Sequence, residues 1–221
     1  MGKCLIVANL KSYKNENEAK SWLEEFSKIK ELSLDLTQKE IIICPSFTQL
    51  FSFFSYFSSN NINIKLGSQN VSPFDEGAYT GEVNAKQIKD FASFVLVGHS
   101  ERRINFNETD NMLTKKVEMS LKYGLTPIFL VQNQEDLIPQ SVQVVAYEPV
   151  LAIGTGTPDS PENADAVAAM IKSKNNVQVL YGGSVTSENV KSFTSKVNIG
   201  GVIVGGGSLE AQEILKIIQN A

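Results

Sequence analysis

A few side chains able to move protons or to meet developing negative charge stand just beyond short apolar runs. His99, the only histidine, follows Phe94–Val97 and precedes Ser100-Glu101-Arg102-Arg103. Histidine is the commonest acid–base residue, yet a lone one is as often a packed polar bystander. A helical turn beginning at Ser100 would aim its amides back at the imidazole and favour the neutral form, which donates a hydrogen bond without carrying charge. Glu148 follows Val142–Ala146 and precedes Pro149. A strand-end glutamate is ordinarily a solvated rim residue, because carboxylates rarely stay near a core without a partner or a role. What comes next changes its weight. Residues 149–156 are apolar, then glycine-rich, with neither a strand nor a helix period. That pattern suits a lid whose Ile153 covers the carboxylate and whose Gly154 amide reaches a ligand. Lys11 and Asn9 follow Cys4–Ala8. Any single lysine is usually a surface cation, but at a strand end this one is placed to stabilise charge on a substrate oxygen.

Two glycine clusters suggest what that substrate carries. Gly182-Gly183-Ser184 and Gly205-Gly206-Gly207-Ser208 each end an apolar run and precede a helical pattern. Glycine lets backbone amides approach closely, and amides at a helix N-terminus bind phosphate oxygens. Neither G-x-x-x-x-G-K-[ST] nor G-x-G-x-x-G occurs, so a nucleotide P-loop and a dinucleotide fingerprint are both unsupported.

These residues need a frame. Eight short, nearly continuous apolar runs mark strands: Cys4–Ala8, Ile41–Cys44, Ile62–Leu66, Phe94–Val97, Pro127–Val131, Val142–Ala146, Val177–Leu180 and Val202–Val204. Such runs suit strands buried on both faces. Helical patterns lie between them, at Glu18–Lys30, Phe47–Phe57, Asn84–Phe91, Thr109–Tyr123, Pro161–Lys172, Ser187–Phe193 and Leu209–Gln219. The first places Trp22, Phe26 and Ile29 on one stripe, and the second Phe47, Leu50, Phe54 and Phe57. Ser160 or Asp159 can cap the sixth crossover, with Pro161 at its first position. Residues 132–141 hold Pro139 and are too few for an ordinary crossover helix. The pattern predicts an α/β fold of one domain over residues 1–221, a (β/α)₈ barrel with a shortened crossover between strands five and six. In that architecture active sites form at the C-terminal ends of the strands, and phosphate sites commonly follow strands seven and eight.

Composition narrows the classes. A net charge of −4 argues against a nucleic-acid footprint, and the aromatic stripe at 47–57 has no Lys or Arg between Lys39 and Lys65. That stripe is read as core. Cys4 and Cys44 form no C-x-x-C motif, and two buried thiols fit a reducing compartment. No stretch approaches a membrane span, so a cytoplasmic protein is expected.

Taken together, Ala8-Asn9-Leu10-Lys11, Gln69-Asn70-Val71, Gly77-Ala78-Tyr79-Thr80-Gly81-Glu82, Val97-Gly98-His99-Ser100-Glu101-Arg102-Arg103, Ala146-Tyr147-Glu148-Pro149-Val150, Ala152-Ile153-Gly154-Thr155-Gly156, Tyr181-Gly182-Gly183-Ser184-Val185 and Val204-Gly205-Gly206 closely resemble the triose-phosphate isomerase family. The matches run through nearly the whole chain in family order. The resemblance implies Glu148 as base, His99 as electrophile and Lys11 with Asn9 polarising substrate oxygens. It also implies Gly154, Ser184, Gly205 and Gly206 around a phosphate, with Ser100, Glu101, Ile153 and Ile203 in support. The implied substrate is a triose phosphate of glycolysis and gluconeogenesis, with no cofactor or metal. The division of labour between glutamate base, neutral histidine and closing loop is a standard worked case for this family. A homodimer is implied as well, formed through Ser72–Gly81, with Thr80 of the partner subunit near the catalytic site.

Three departures stand out. Leu151 replaces the family's tryptophan at the lid's N-terminal hinge, Leu130-Val131-Gln132-Asn133 stands where the family has Cys-x-Gly-Glu, and the following crossover is truncated. The other hinge, Thr157-Pro158-Asp159, carries a proline that restricts motion. Two rivals are weaker. A Schiff-base aldolase needs a lysine where Glu148 stands, and a non-catalytic phosphometabolite sensor predicts loss of a base or electrophile that is present.

Overall fold

In a computed structural model that describes residues 2–32, 36–149 and 156–221, eight parallel strands close into a barrel in sequence order. They are β1 (Cys4–Asn9), β2 (Lys39–Cys44), β3 (Lys65–Ser68), β4 (Phe94–Val97), β5 (Thr126–Val131), β6 (Val144–Tyr147), β7 (Gln178–Tyr181) and β8 (Ile199–Val204). The ring closes where Leu5 to Ala8 of β1 pair with Gly201 to Val204 of β8. Alternation along each strand divides its side chains. Leu5, Val7, Leu96, Leu130, Ala146 and Ile203 belong to the cluster inside the barrel, whereas Ile6, Ala8, Val95, Phe129 and Val145 join the outer core beneath the helices.

The helices are α1 (Glu16–Phe26), α2 (Leu50–Ser59), α3 (Ala85–Ile88), α4 (Ser100–Phe106), α5 (Asp110–Lys122), α6 (Pro161–Lys174), α7 (Val190–Thr194) and α8 (Ala211–Asn220). Local chemistry sets where they begin. Asn15 with Glu18 and Asn84 with Gln87 form capping boxes that satisfy otherwise orphaned amides of α1 and α3. Ser160 accepts from the Asn163 amide, and Pro161 opens α6, as the sequence predicts.

Several boundaries move. Strand β3 lies three residues later than Ile62–Leu66, and β6 two later than Val142. In both places β-branched residues extend beyond the ladder that the neighbouring strands can pair. The 47–57 stripe is corrected: residues 47–49 form a 3₁₀ turn, which rotates the phase of α2. Phe53 and Phe57 are therefore buried, while Phe54 and Phe51 face outward. Asn84–Phe91 and Ser187–Phe193 contract to short helices. Cys44 is buried but Cys4 only partly so.

Between β5 and β6 the described residues 132–143 contain no helix. Asp136 folds this connector back on itself, accepting from the Gln132 amide at 2.6 Å and from Asn133 Nδ2 at 2.8 Å. Among the described residues no helix is long and apolar enough to cross a membrane.

Candidate active site

At the C-terminal ends of the strands a cavity of about 290 Å³ opens, toward the small end of the range for ligand sites. Asn9, Lys11, His99, Glu148, Ser184, Ile203, Gly205 and Gly206 all line it. These residues come from five strand ends, and the closed barrel brings them together. Gly182, Gly183, Val185, Thr186, Gly207 and Gly156 complete the wall.

His99 caps α4. The Glu101 amide donates to its Nδ1 at 3.2 Å, so the imidazole proton resides on Nε2. Burial holds the His99 pKa below its ordinary value; Glu101 opposes that shift, and the Lys11 and Arg102 cations reinforce it. The helix N-terminus favours the uncharged ring for the same electrostatic reason. Nε2 then points its proton into the cavity, where Glu148 Oε1 lies 3.6 Å away. At that separation the two groups are neighbours rather than hydrogen-bonded partners.

Glu148 is 7 % exposed at the end of β6, and its amide bonds to the Val131 carbonyl at 2.8 Å. Its Oε2 is buried without a hydrogen-bond partner among the described residues, as is Ser100 Oγ. Burial pushes the carboxyl pKa up to about 8, against the pull of Lys11 and with a small push from Glu101. That shift has a stability consequence. Between pH 4.5 and about 8 the unfolded chain has released a proton that the folded chain keeps, so stability falls as pH rises through this window. Glu148→Gln should therefore stabilise the fold by a few kcal/mol at pH 8, with the gain disappearing below pH 4.5. Urea unfolding at fixed protein concentration across that range measures it, and a pH-independent difference would contradict the burial argument.

Lys11 adopts a left-handed backbone conformation, φ 51°, held by its amide bonding to Asn9 Oδ1 at 3.0 Å. Its ammonium pairs with Glu101 at 2.7 Å. A methyl at Gly205 would come within 2.9 Å of Lys11 Cε, so the glycine there makes room for the lysine stem. Past Gly205, a 3₁₀ turn at Gly206–Leu209 leads towards α8. Ser184, φ 49°, lines the same side of the cavity.

Sequence reasoning passed over three positioning contacts. Gln69 Nε2 donates to the carbonyls of Lys11, at 2.8 Å, and Cys44, at 2.9 Å, tying the first loop to β2. Ser208 Oγ bonds to the carbonyls of Asn9 and Gly205, while the Ser208 carbonyl accepts from Trp22 Nε1 at 3.0 Å. Gly182, quoted above only as part of a phosphate cluster, packs against the carboxylate. A methyl there would sit 2.5 Å from Ile203 Cγ2 and 2.8 Å from Glu148 Cγ. A polar side chain one or two residues after a glycine, just past a strand, was the available signal for the first two; nothing in the sequence marked the third as a packing contact.

Ile153, Gly154 and Leu151 lie outside the described residues, and so does most of the expected lid. On its far side Gly156 (φ 76°) reaches the cavity, and the Asp159 amide donates to the Tyr181 hydroxyl at 2.8 Å. Among the described residues, no three of His, Cys, Asp and Glu are grouped as metal ligands.

The chain matches the family model described as Triosephosphate isomerase in two stretches, residues 4–140 and 137–221. Among curated proteins it is similar to the triosephosphate isomerase of Dictyoglomus turgidum, 38% identical over 254 positions that cover 100% of both chains. It resembles those of Dictyoglomus thermophilum (37% over 254 positions, 100% of both) and Trichodesmium erythraeum (37% over 242, 99% of both) at similar levels. The alignments exceed the 221 residues of this chain, so the relatives carry residues it lacks. The two stretches of the family match meet at 137–140, within the short β5–β6 connector.

Proposed function

The chain belongs to the triosephosphate isomerase family, and from that membership we propose that Glu148 carries the proton in the interconversion of dihydroxyacetone phosphate and D-glyceraldehyde 3-phosphate. The observation that carries this reading is the shared cavity: a desolvated carboxylate, a neutral imidazole with its donor on Nε2, and a lysine, all facing two glycine-rich strand ends.

In this reading the substrate phosphate is bound by Ser184 and by the backbone amides of Gly205, Gly206 and Gly154, where glycine allows close approach. Glu148 removes a proton from the carbon beside the carbonyl. The electron pair moves onto the carbonyl oxygen, and the His99 Nε2 proton and the Lys11 ammonium meet the developing charge, with Asn9 beside them. The proton is returned to the neighbouring carbon, while the hydroxyl proton passes between the two oxygens that His99 serves. Glu101 holds Lys11 through their ion pair, and Ser100 opens the helical turn that His99 caps. Ile203 and Ile153 supply the apolar surroundings that make the carboxylate a stronger base and shield the enediolate from water. No step calls for a redox cofactor or metal. The reaction serves glycolysis and gluconeogenesis in the cytoplasm, with residues 1–221 acting as one barrel domain.

The same reading makes the chain a homodimer through Ser72–Gly81, with Thr80 of the partner subunit beside the catalytic site. Exposed aromatic rings at Phe74 (41 %) and Tyr79 (44 %) support this, because an interface would cover them. Purified protein should interconvert the two triose phosphates in a coupled assay without added metal or nucleotide. Tight phosphate-ester binding with no turnover would favour the sensor instead.

The acid–base assignment also sets a pH profile. A base works when deprotonated, so kcat/KM should fall as pH drops through the Glu148 ionisation of the free enzyme. With burial raising that carboxyl towards 8, the acidic limb should lie far above the 4.5 of an ordinary glutamate. It should also extend beyond the second ionisation of a phosphate monoester, about 6. A limb explained wholly by the substrate phosphate would count against the desolvated base.

A further inference from the structure

Several contacts within the chain tie down the loop between β3 and α3. Its ends are joined by the Ser72 amide donating to the Val83 carbonyl at 2.9 Å. Within it the Phe74 amide donates to Ser72 Oγ, and the Phe74 and Tyr79 rings stack at 4.3 Å with an interplanar angle of 8°. The loop is then fastened to the C-terminal end of α5, far away in sequence. Asp75 Oδ1 accepts from the Tyr123 hydroxyl at 2.5 Å and from the Glu76 amide at 2.9 Å. Its Oδ2 pairs with Lys122. Lys86 and Glu76 brace the next residue at 2.6 Å.

One exposed ion pair contributes little to folding. A carboxylate that accepts a tyrosine proton, a backbone amide and an ammonium together is different, because it fixes a loop in a single geometry. These contacts draw the Asp75 pKa well below the usual carboxylate value, led by Lys122 and then Tyr123, so the acceptor stays charged across the neutral range. Association requires interface loops to be ordered, and ordering in the free chain removes that cost from the binding step. Asp75 does not line the cavity, so its effect on catalysis has to pass through the loop.

We propose that Asp75 is a latch that, through Tyr123 and Lys122, presets the Ser72–Gly81 loop for association with a second copy of this chain. The inference rests on the homodimer reading above. In a symmetric dimer both loops dock, so losing the latch is felt twice in one dissociation constant.

The test compares the full-length chain with its Asp75→Ala, Asp75→Asn and Tyr123→Phe variants by sedimentation velocity and activity along one dilution series. Asp75→Ala should raise the dimer dissociation constant by about tenfold, the size expected when two loops must be ordered on association. Tyr123→Phe, which keeps the ring and removes only the donor, should move it in the same direction by less. At protein concentrations where every variant is dimeric, kcat should match the unaltered chain. Amide exchange at residues 74–81 should be faster in the Asp75→Ala monomer, a change that rules out a general loss of fold when α5 and the strands exchange as before. A dimer whose dissociation constant shifts by less than about twofold in Asp75→Ala would overturn the latch while leaving the homodimer standing. An unaltered chain that stays monomeric at every concentration would overturn the homodimer and the latch with it.

Discussion

Glu148→Gln should lower kcat by about 10⁴-fold, at the upper end of what a positioned general base contributes, with KM nearly unchanged. The amide is the same size and keeps the cavity filled, so the binding proposed for Lys11 and the glycine amides should survive. What disappears is the lone pair that, in the proposed role, accepts the carbon-bound proton. Glu148→Asp is the subtler variant. It retains the charge but withdraws it by one methylene, and a misplacement of about 1 Å costs on the order of 10²-fold in rate. Steady-state kinetics in both directions measures the two variants, and an Asp variant with unchanged kcat would remove Glu148 from the base position.

The second large effect is expected at a residue with no side chain. Gly182→Ala places a methyl 2.5 Å from Ile203 Cγ2 and 2.8 Å from Glu148 Cγ, distances at which something must move. The strand ends are fixed by the barrel: the Gly182 amide bonds to the Tyr147 carbonyl at 2.8 Å, so the backbone there has little freedom. The Glu148 side chain is the part that gives. Its carboxylate should swing from His99 and out of line with the substrate carbon, lowering kcat by roughly 10²-fold through misplacement alone. Phosphate binding should weaken far less, because Gly205 and Gly206 are untouched. Equal losses in kcat and in affinity for inorganic phosphate would show instead that the whole strand end had collapsed.

These two predictions mark how differently parts of the site could be read beforehand. The eight strands were legible as apolar runs because parallel strands buried on both faces leave no polar alternation to confuse the pattern. His99, Glu148 and Lys11 were legible because each is a reactive type just past such a run. The phase of α2 was not, since a 3₁₀ turn at Phe47 rotates the stripe, and periodicity alone does not reveal where a helix starts. The environment of Glu148 was legible only in outline. Its burial depends on Ile203 and Gly182, which lie 55 and 34 positions further along the chain, and one sequence gives no measure of how close strand ends approach. The Asp75 contacts are of the same kind. An aspartate in a polar loop is unremarkable until α5 is seen to end beside it.

The connector of residues 132–143 has a consequence for how the barrel assembles. Every other pair of strands consecutive in the chain is linked through at least one helix, and β1 and β2 are separated by residues 10–38. The β5–β6 link is less than half that long. Loop-closure entropy falls by about 0.6 kcal/mol for each halving of the loop, so this pair meets at the smallest entropic cost among consecutive strands of the ring. Shortening the crossover removes the apolar surface that a covering helix would bury, but it brings Phe129 and Val145, partners in register, nearer along the chain. The most abbreviated part of the barrel thereby also holds its most local strand pairing, a natural starting point for ordering the strand on whose end Glu148 stands.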